Sequence, residues 1–207
     1  MKPVVAAFDF DGTLCRGVSG LRFFQHVLGP GAYAWFVARR WPQMAAYGCR
    51  LQPERSLACI NRTVFTGREA AAVAAAAEVF WRTTFPRDLF PAAVARLRAH
   101  LDRGDRCVIV SSAYELYLRP WAASLGIQDV LATRLAVDAA GRLTGEMLEP
   151  SCDAEHKRDR LLQLLGPRAA YELHAYGDRP TDFALLSAAD QPFIRQGGSF
   201  QHWQPRR

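Results

Sequence analysis

Two hydrophobic periods alternate along the chain. Val4 to Phe8, "VVAAF", is an unbroken apolar run with β-branched residues, the pattern of a strand buried on both faces of a parallel sheet. "RCVIVSS" at 106–112, "DVLATRLAV" at 129–137, Leu173 to Tyr176 and a short run at Phe193-Ile194 repeat that signature. Between them the apolar spacing lengthens to that of an amphipathic helix. "PAAVARLRAHLDRG" (91–104) is stopped by Gly104, "AYELYLRPWAASLG" (113–126) is helical with a kink allowed at Pro120, and "DAEHKRDRLLQLLG" (153–166) opens on Asp153 as N-cap. A shorter helix is expected over Asp182 to Ala189, and "LAVDAAGRLTGEML" predicts a hairpin around Gly141.

Strand–helix alternation predicts an α/β fold with a parallel sheet. One block interrupts it. Residues 17–88 are rich in alanine and aromatics and predict helices over Leu21–Leu28, Ala32–Ala46, Pro53–Val64 and Arg68–Thr84, separated by glycine and proline. The expected organisation is therefore a core of residues 1–16 and 89–207 carrying an all-helical insertion at 17–88. The tail "QHWQPRR" is expected to be loosely ordered.

Composition narrows the setting. Half of the 207 residues are hydrophobic, enough for a sizeable core. The net charge is +6, but no block of five basic residues occurs, so a nucleic-acid partner is not expected; the same positive field favours phosphorylated small molecules. The cysteines at 15, 49, 59, 107 and 152 form no CxxC pair, which argues against both a disulfide framework and a zinc site; Cys107 and Cys152 read as small hydrophobes. The five histidines show no ligand spacing. "MKPVVAAFDFDG" meets acid too early for a signal peptide, and the uncharged run Phe23 to Ala38 is broken by Gly29-Pro30-Gly31, so no membrane span is expected. A reducing, cytoplasmic location follows. Among the basic residues only Lys2 and Lys157 are lysines, which makes Lys157 conspicuous.

The polar residues of interest share one address. Asp9 and Asp11 follow the first strand, Ser111 and Ser112 end the second, and Asp178 follows the strand ending at Tyr176, with Asp182 one helical turn later. In an open parallel sheet the ligand crevice lies beyond the carboxyl ends of the strands, so residues 100 to 170 positions apart can converge there. Carboxylates two apart at a strand tip repel each other and add nothing to folding, so their use lies in chemistry.

Four segments in order, "FDFDGTL" at 8–14, "VIVSS" at 108–112, Lys157 opening a helix, and "YGDRPTD" at 176–182, resemble the haloacid dehalogenase-like (HAD) hydrolase superfamily. Within it the chain is similar to the phosphatases of subfamily IB, phosphoserine-phosphatase-like proteins with a helical C1 cap between the first and second motifs. The resemblance covers residues 1–16 and 89–195 by motif; the insertion matches in position and helical character. It implies a Rossmann-like core under an inserted cap, and a Mg²⁺-dependent phosphomonoester hydrolase working through an aspartyl-phosphate. Asp9 would be the nucleophile and Asp11 the general acid and base. Gly12 would let the loop approach the phosphoryl oxygens and Thr13 would tie it. Asp9, Asp178 and the carbonyl of Asp11 would hold Mg²⁺, which suits hard oxygen ligands. Ser111, the backbone of Ser112 and Lys157 would bind phosphate, with Asp182 orienting Lys157 or a metal-bound water.

The substrate is harder to read. Phosphoserine phosphatases of this subgroup carry a glutamate nine positions after the nucleophile; here that position is Val18, which disfavours phosphoserine. The cap aromatics Phe23, Phe24, Tyr33, Trp35, Phe36, Trp41 and Tyr47, with Arg39 and Arg40 among them, form either the cap's own core or an apolar, arginine-edged entrance. The second alternative suits a lipid phosphate, such as a lysophosphatidate or a phosphatidylglycerophosphate, with weak membrane-surface contact through the cap. A phosphoryl-transferring mutase, a dehalogenase and a binding protein without turnover are the remaining alternatives. Asp11 argues against the dehalogenase, which needs no such acid–base residue, and competent residues at every catalytic position argue against the binder.

Overall fold

The computed structural model describes residues 2–205. Its centre is a six-stranded sheet in the order β3-β2-β1-β6-β7-β8, built from β1 (Val4–Phe8), β2 (Arg106–Tyr114), β3 (Asp129–Thr133), β6 (Glu172–Gly177), β7 (Gln191–Gln196) and β8 (Ser199–His202). All neighbours are parallel except β7 and β8. From β1 the chain steps outward to β2 and β3, then crosses back to place β6 on the other side of β1. A crevice opens at such a reversal, beyond the strand ends. The register aligns Phe8 with Ile109 on β2 and with Tyr176 on β6, so the residues following each strand emerge side by side.

Both faces of the sheet are covered, which explains the continuous apolar runs. Val5, Ala7, Val108 and Val110 pack under α7 (Ala154–Leu165) and α8 (Phe183–Ser187), against Leu161, Leu185 and Leu186. Ala6, Phe8 and Ile109 face the other way, towards Leu97 of α5 (Pro91–Asp102) and Leu118 of α6 (Glu115–Ser124).

Between β1 and α5 the chain forms α1 (Ser19–Leu28), α2 (Pro30–Gly48), α3 (Pro53–Phe65) and α4 (Ala70–Asp88). The insert leaves and returns through a narrow neck. Arg16 N–H donates to the Asp88 carbonyl and Phe90 N–H to the Leu14 carbonyl, each at 2.8 Å. Aromatic rings join it to the core: Phe23 of α1 and Phe80 and Phe85 of α4 surround Tyr117 of α6 at centroid distances of 5.0–5.9 Å. A second seam involves the hairpin β4 (Leu135–Val137) and β5 (Leu143–Met147), which packs on α3. Gly145 sits at φ +79° with its α-carbon so near Arg62 that a Cβ would lie 2.6 Å from the Arg62 Cα; only glycine allows that approach.

The structure departs from the sequence expectations at three places. β2 continues through Ser112 to Tyr114 instead of ending at the two serines, because Thr133 Oγ1 and the β3 ladder hold that extension. The strand expected over 129–137 breaks at Arg134, and its second half turns into the hairpin. The tail is ordered further than expected: Gln201 and His202 pair in β8, and the Trp203 N–H donates to the Pro192 carbonyl. Arg206 and Arg207 lie outside the described residues.

Candidate active site

Asp9 and Asp11 lie on the turn after β1. The chain bends there so that the N–H groups of Thr13, Leu14 and Cys15 all point to the Phe10 carbonyl. Gly12 has φ +91°, and a Cβ on it would sit 2.2 Å from Asp178 Oδ2 and 2.5 Å from Arg179 Nη2. Glycine is therefore required twice over, by backbone and by space.

Around this turn a buried polar cluster closes. Lys157, on the first turn of α7, donates from Nζ to Asp9 Oδ1 and to Asp182 Oδ1, both at 2.6 Å. Thr13 Oγ1 donates to Asp9 Oδ2 at 2.9 Å and reaches Asp178 Oδ1 at 3.2 Å. The other carboxylate oxygen of Asp182 accepts the N–H groups of Asp178 and Arg179 at 3.0 and 3.3 Å, which fixes the loop after β6. Asp9, Thr13, Lys157 and Asp182 are at most 3% exposed.

The electrostatics follow from that burial. Desolvation, then Asp182, push the Asp9 carboxyl up to about 7, against the pull of Lys157. Burial opposes the charge on Lys157, but Asp9 and Asp182 outweigh it and hold the ammonium above its ordinary value. Burial also lifts the Asp11 carboxyl, against the Ser19 N–H that opens α1 and donates to Asp11 Oδ1 at 3.0 Å. A carboxyl held partly towards its neutral form can hand over a proton.

Carboxylate oxygens of Asp9, Asp178 and Asp182 lie within 4.8 Å of one another. Asp182 is tied by Lys157 and by two backbone N–H groups, whereas Asp9, Asp178 and the Asp11 carbonyl are held by the side chains of Lys157, Thr13 and Arg179, which a cation can displace or share. That set fits Mg²⁺ in kind and in number, the rest of an octahedral shell being water and substrate oxygen.

Ser111 is fully buried in β2, its Oγ accepting the Ala113 N–H at 3.2 Å, while the Ser112 carbonyl accepts from Thr133. Tyr47, from the last turn of α2, belongs to this neighbourhood. Burial, then Asp153, push its phenol up, and the polar Ser112 and Ser151 beside it work the other way. A cleft of about 720 Å³ between β3 and α7, lined by Arg119, Arg134 and Arg160, contains none of these residues.

Three contributors were not among the sequence candidates. Arg179 donates from Nη2 to the Asp11 carbonyl at 2.5 Å and from Nε to the Asp178 carboxylate at 3.3 Å; it stands inside "YGDRPTD", so its position was visible although its direction was not. Ser19 also bonds the Tyr117 hydroxyl at 2.8 Å, and its helix-opening place was the available signal. Arg195 Nε donates to the Gly12 carbonyl at 2.5 Å, and nothing local in the sequence marks it.

Comparison with known proteins places this geometry. The family model for haloacid dehalogenase-like hydrolases matches residues 6–187. The protein CicA of Caulobacter vibrioides is 32% identical over 194 residues, spanning 94% of this chain and 86% of the relative. A histidinol-phosphatase of Neisseria meningitidis serogroup C is 29% identical over 101 residues, 46% of each chain. Among solved structures, a protein of unknown function from Bordetella pertussis Tohama I superposes with a TM-score of 0.81 at 26% identity, covering 93% of this chain and 89% of that one. A phosphoserine phosphatase solved as a phospho-aspartyl intermediate analogue shares the fold at a TM-score of 0.65 and 21% identity, over 92% of this chain and 85% of that one.

Proposed function

Since the chain belongs to the haloacid dehalogenase-like hydrolase family, we propose that it is a Mg²⁺-dependent phosphomonoester phosphatase whose nucleophile is Asp9. One observation carries the reading: Lys157 bridges Asp9 and Asp182 at 2.6 Å inside a cluster that also contains Asp178, at the carboxyl ends of β1 and β6. Folding alone gives no reason to bury two carboxylates around one ammonium with a third carboxylate beside them.

Asp9 Oδ attacks phosphorus while the bond to the ester oxygen breaks, and Asp11 gives its proton to the departing alkoxide. In the second half Asp11 takes a proton from water, the water oxygen attacks phosphorus, and the Asp9–phosphate bond breaks to release inorganic phosphate. Lys157 and the Ser111 hydroxyl neutralise and orient the phosphoryl oxygens. Thr13 holds the Asp9 carboxylate in place and Asp182 holds Lys157. Magnesium, held by Asp9, Asp178 and the Asp11 carbonyl, would neutralise charge on the transferring group.

Residues 17–88 serve in this reading as the cap that encloses the leaving group. The substrate is a small or amphiphilic phosphate monoester. Val18, at the place of the ammonium-binding glutamate of phosphoserine phosphatases, is 45% exposed and carries no charge, which argues against phosphoserine. The five free thiols support a reducing compartment such as the cytoplasm. Hydrolysis of p-nitrophenyl phosphate with Mg²⁺ tests the reading. Chelation should abolish it, and Asp9→Asn should lower kcat by about 10³-fold or more; an Asp9→Asn variant of full activity would refute the nucleophile assignment.

A further inference from the structure

The second helix of the insert is apolar on two opposite faces. Its inner face carries Phe36, 1% exposed, with Tyr33, Val37 and Met44 packed against the core cluster. Ala34, Trp35, Ala38, Trp41, Pro42 and Ala45 recur on the opposite face at helical spacing, and every one is exposed. Trp35 is 59% and Trp41 63% exposed, and Leu51, in the turn after the helix, is 65% exposed. Tryptophan on a free surface is uncommon, and a continuous apolar face with no charge in it marks a contact site.

Charge decides the occupant. Between Asp11 and Glu54 the chain contains no acidic residue, while arginine occurs at 16, 22, 39, 40 and 50; Arg22 and Arg50 are paired with Asp88 and Asp153. On α2 itself the only charges are Arg39 and Arg40, and the Arg39 guanidinium lies over the Trp35 ring at 5.6 Å, beside the apolar face. Two tryptophans bordering small apolar residues, with arginine at the margin and no acid on the helix itself, fit the headgroup boundary of an anionic bilayer. Among the described residues no helix is long and apolar enough to cross a membrane, so the contact is one of lying on the surface.

We propose that the outer face of α2 docks this protein onto anionic lipid surfaces through Trp35 and Trp41. The turn that follows the helix meets the catalytic core: Arg50 pairs with Asp153, the N-cap of the helix bearing Lys157, at 2.9 Å. Docking therefore sets the mouth of the candidate site close to the headgroup layer, where amphiphilic phosphate esters reside. The docking surface stands apart from the phosphatase chemistry, and its test involves no turnover.

Sedimentation of the full chain with phosphatidylglycerol-rich vesicles, against phosphatidylcholine vesicles, reads the effect. Retention on anionic vesicles should fall at least about tenfold in Trp35→Ser/Trp41→Ser and should weaken as salt rises from 0.05 to about 0.5 M. Asp9→Asn should bind vesicles like wild type, which separates this result from any failure of the phosphatase reading. Quenching of tryptophan fluorescence by brominated lipids, lost on Trp35→Phe/Trp41→Phe, reads the contact directly should the serine variant misfold. Equal retention of wild type and serine variant would overturn the proposal. So would a concentration-dependent dimer that the serine variant abolishes without any vesicle binding, because the face would then belong to a second copy of the chain.

Discussion

The strand-end cluster and the helical insert meet the same sheet, yet they are built from opposite materials. At the strand ends the carboxylates of Asp9 and Asp182, the Lys157 ammonium and the Thr13 hydroxyl are buried together beside a half-buried Asp178, each satisfied by a named partner. In the insert the buried contacts are rings: Phe23 against Phe65, Phe80 and Tyr117, and Phe24 against Phe36 and Phe65. Ring contacts are stabilising wherever volume is conserved, and many sequences provide them. A buried charge cluster is tolerated only when every member is present, and it returns little net stability. The cluster is thus the part of the fold shaped by chemistry, and the seam the part shaped by packing.

Removing one member should expose that difference most sharply. Lys157→Ala leaves Asp9 and Asp182 buried without their cation and is expected to cost about 3–5 kcal/mol in urea unfolding. Lys157→Met, which keeps the volume, should cost less than the alanine but still leave two uncompensated carboxylates. If Lys157→Ala unfolds like wild type, the cluster is not the closed unit described here.

A pH comparison sharpens the same point. The unfolded Asp9 has the ordinary aspartate pKa of 3.8, and the folded value is about 7. The native state therefore holds the proton more tightly, so the Asp9 contribution to stability is present below pH 4 and is lost as pH rises through 7. Asp9→Asn, which does not titrate, removes that loss. In the presence of a chelator its Tm should gain on wild type between pH 5 and pH 8; a difference, variant minus wild type, that stays constant or falls as pH rises would contradict the burial argument.

The aromatic seam should be more forgiving. Phe23 is fully buried, and its contacts are rings at 5.0–6.2 Å. Phe23→Leu should cost less than about 1.5 kcal/mol and leave p-nitrophenyl phosphate turnover within a few-fold of wild type. A loss as large as that of Lys157→Ala would mean that the seam, too, is specified residue by residue.

How much of this could be read from the sequence divides along the same line. The apolar run before Asp9, the two serines after "VIV", the isolated Lys157 and the acids of "YGDRPTD" announce themselves because charge at a strand end has few structural uses. Their approach to one point follows from parallel topology. The insert is opaque for the opposite reason. α2 has large apolar residues on both its inner and its outer face, so periodicity cannot say that Phe36 is buried while Trp35 and Trp41 face out. The aromatics expected to form either a core or an entrance are thus divided between an inner and an outer face. β8 was missed because "SFQH" pairs through its backbone at the sheet edge and carries no apolar run. Arg179 and Ser19 lie within readable motifs, but which way a side chain or N–H points is decided by tertiary contacts.

The contact between the two regions offers the finest test. The turn joining α2 to α3 meets the core by polar bonds in place of rings: Arg50 to Asp153 at 2.9 Å, and the Glu54 carboxylate accepting the Ser151 N–H at 3.2 Å. Arg50 also sits at φ 58°, a conformation that strains any residue with a Cβ. Its side chain is 46% exposed, so the ion pair contributes no more than about 1 kcal/mol. Arg50→Ala loses the pair and keeps the strain, so urea unfolding should show a loss of up to about 1 kcal/mol. Arg50→Gly loses the same pair but relieves a strain of about 1 kcal/mol, so its stability should lie near wild type and above the alanine. An alanine variant as stable as the glycine would show that the turn is free to relax, and that the insert is tied to the core by its aromatic and hairpin seams without it.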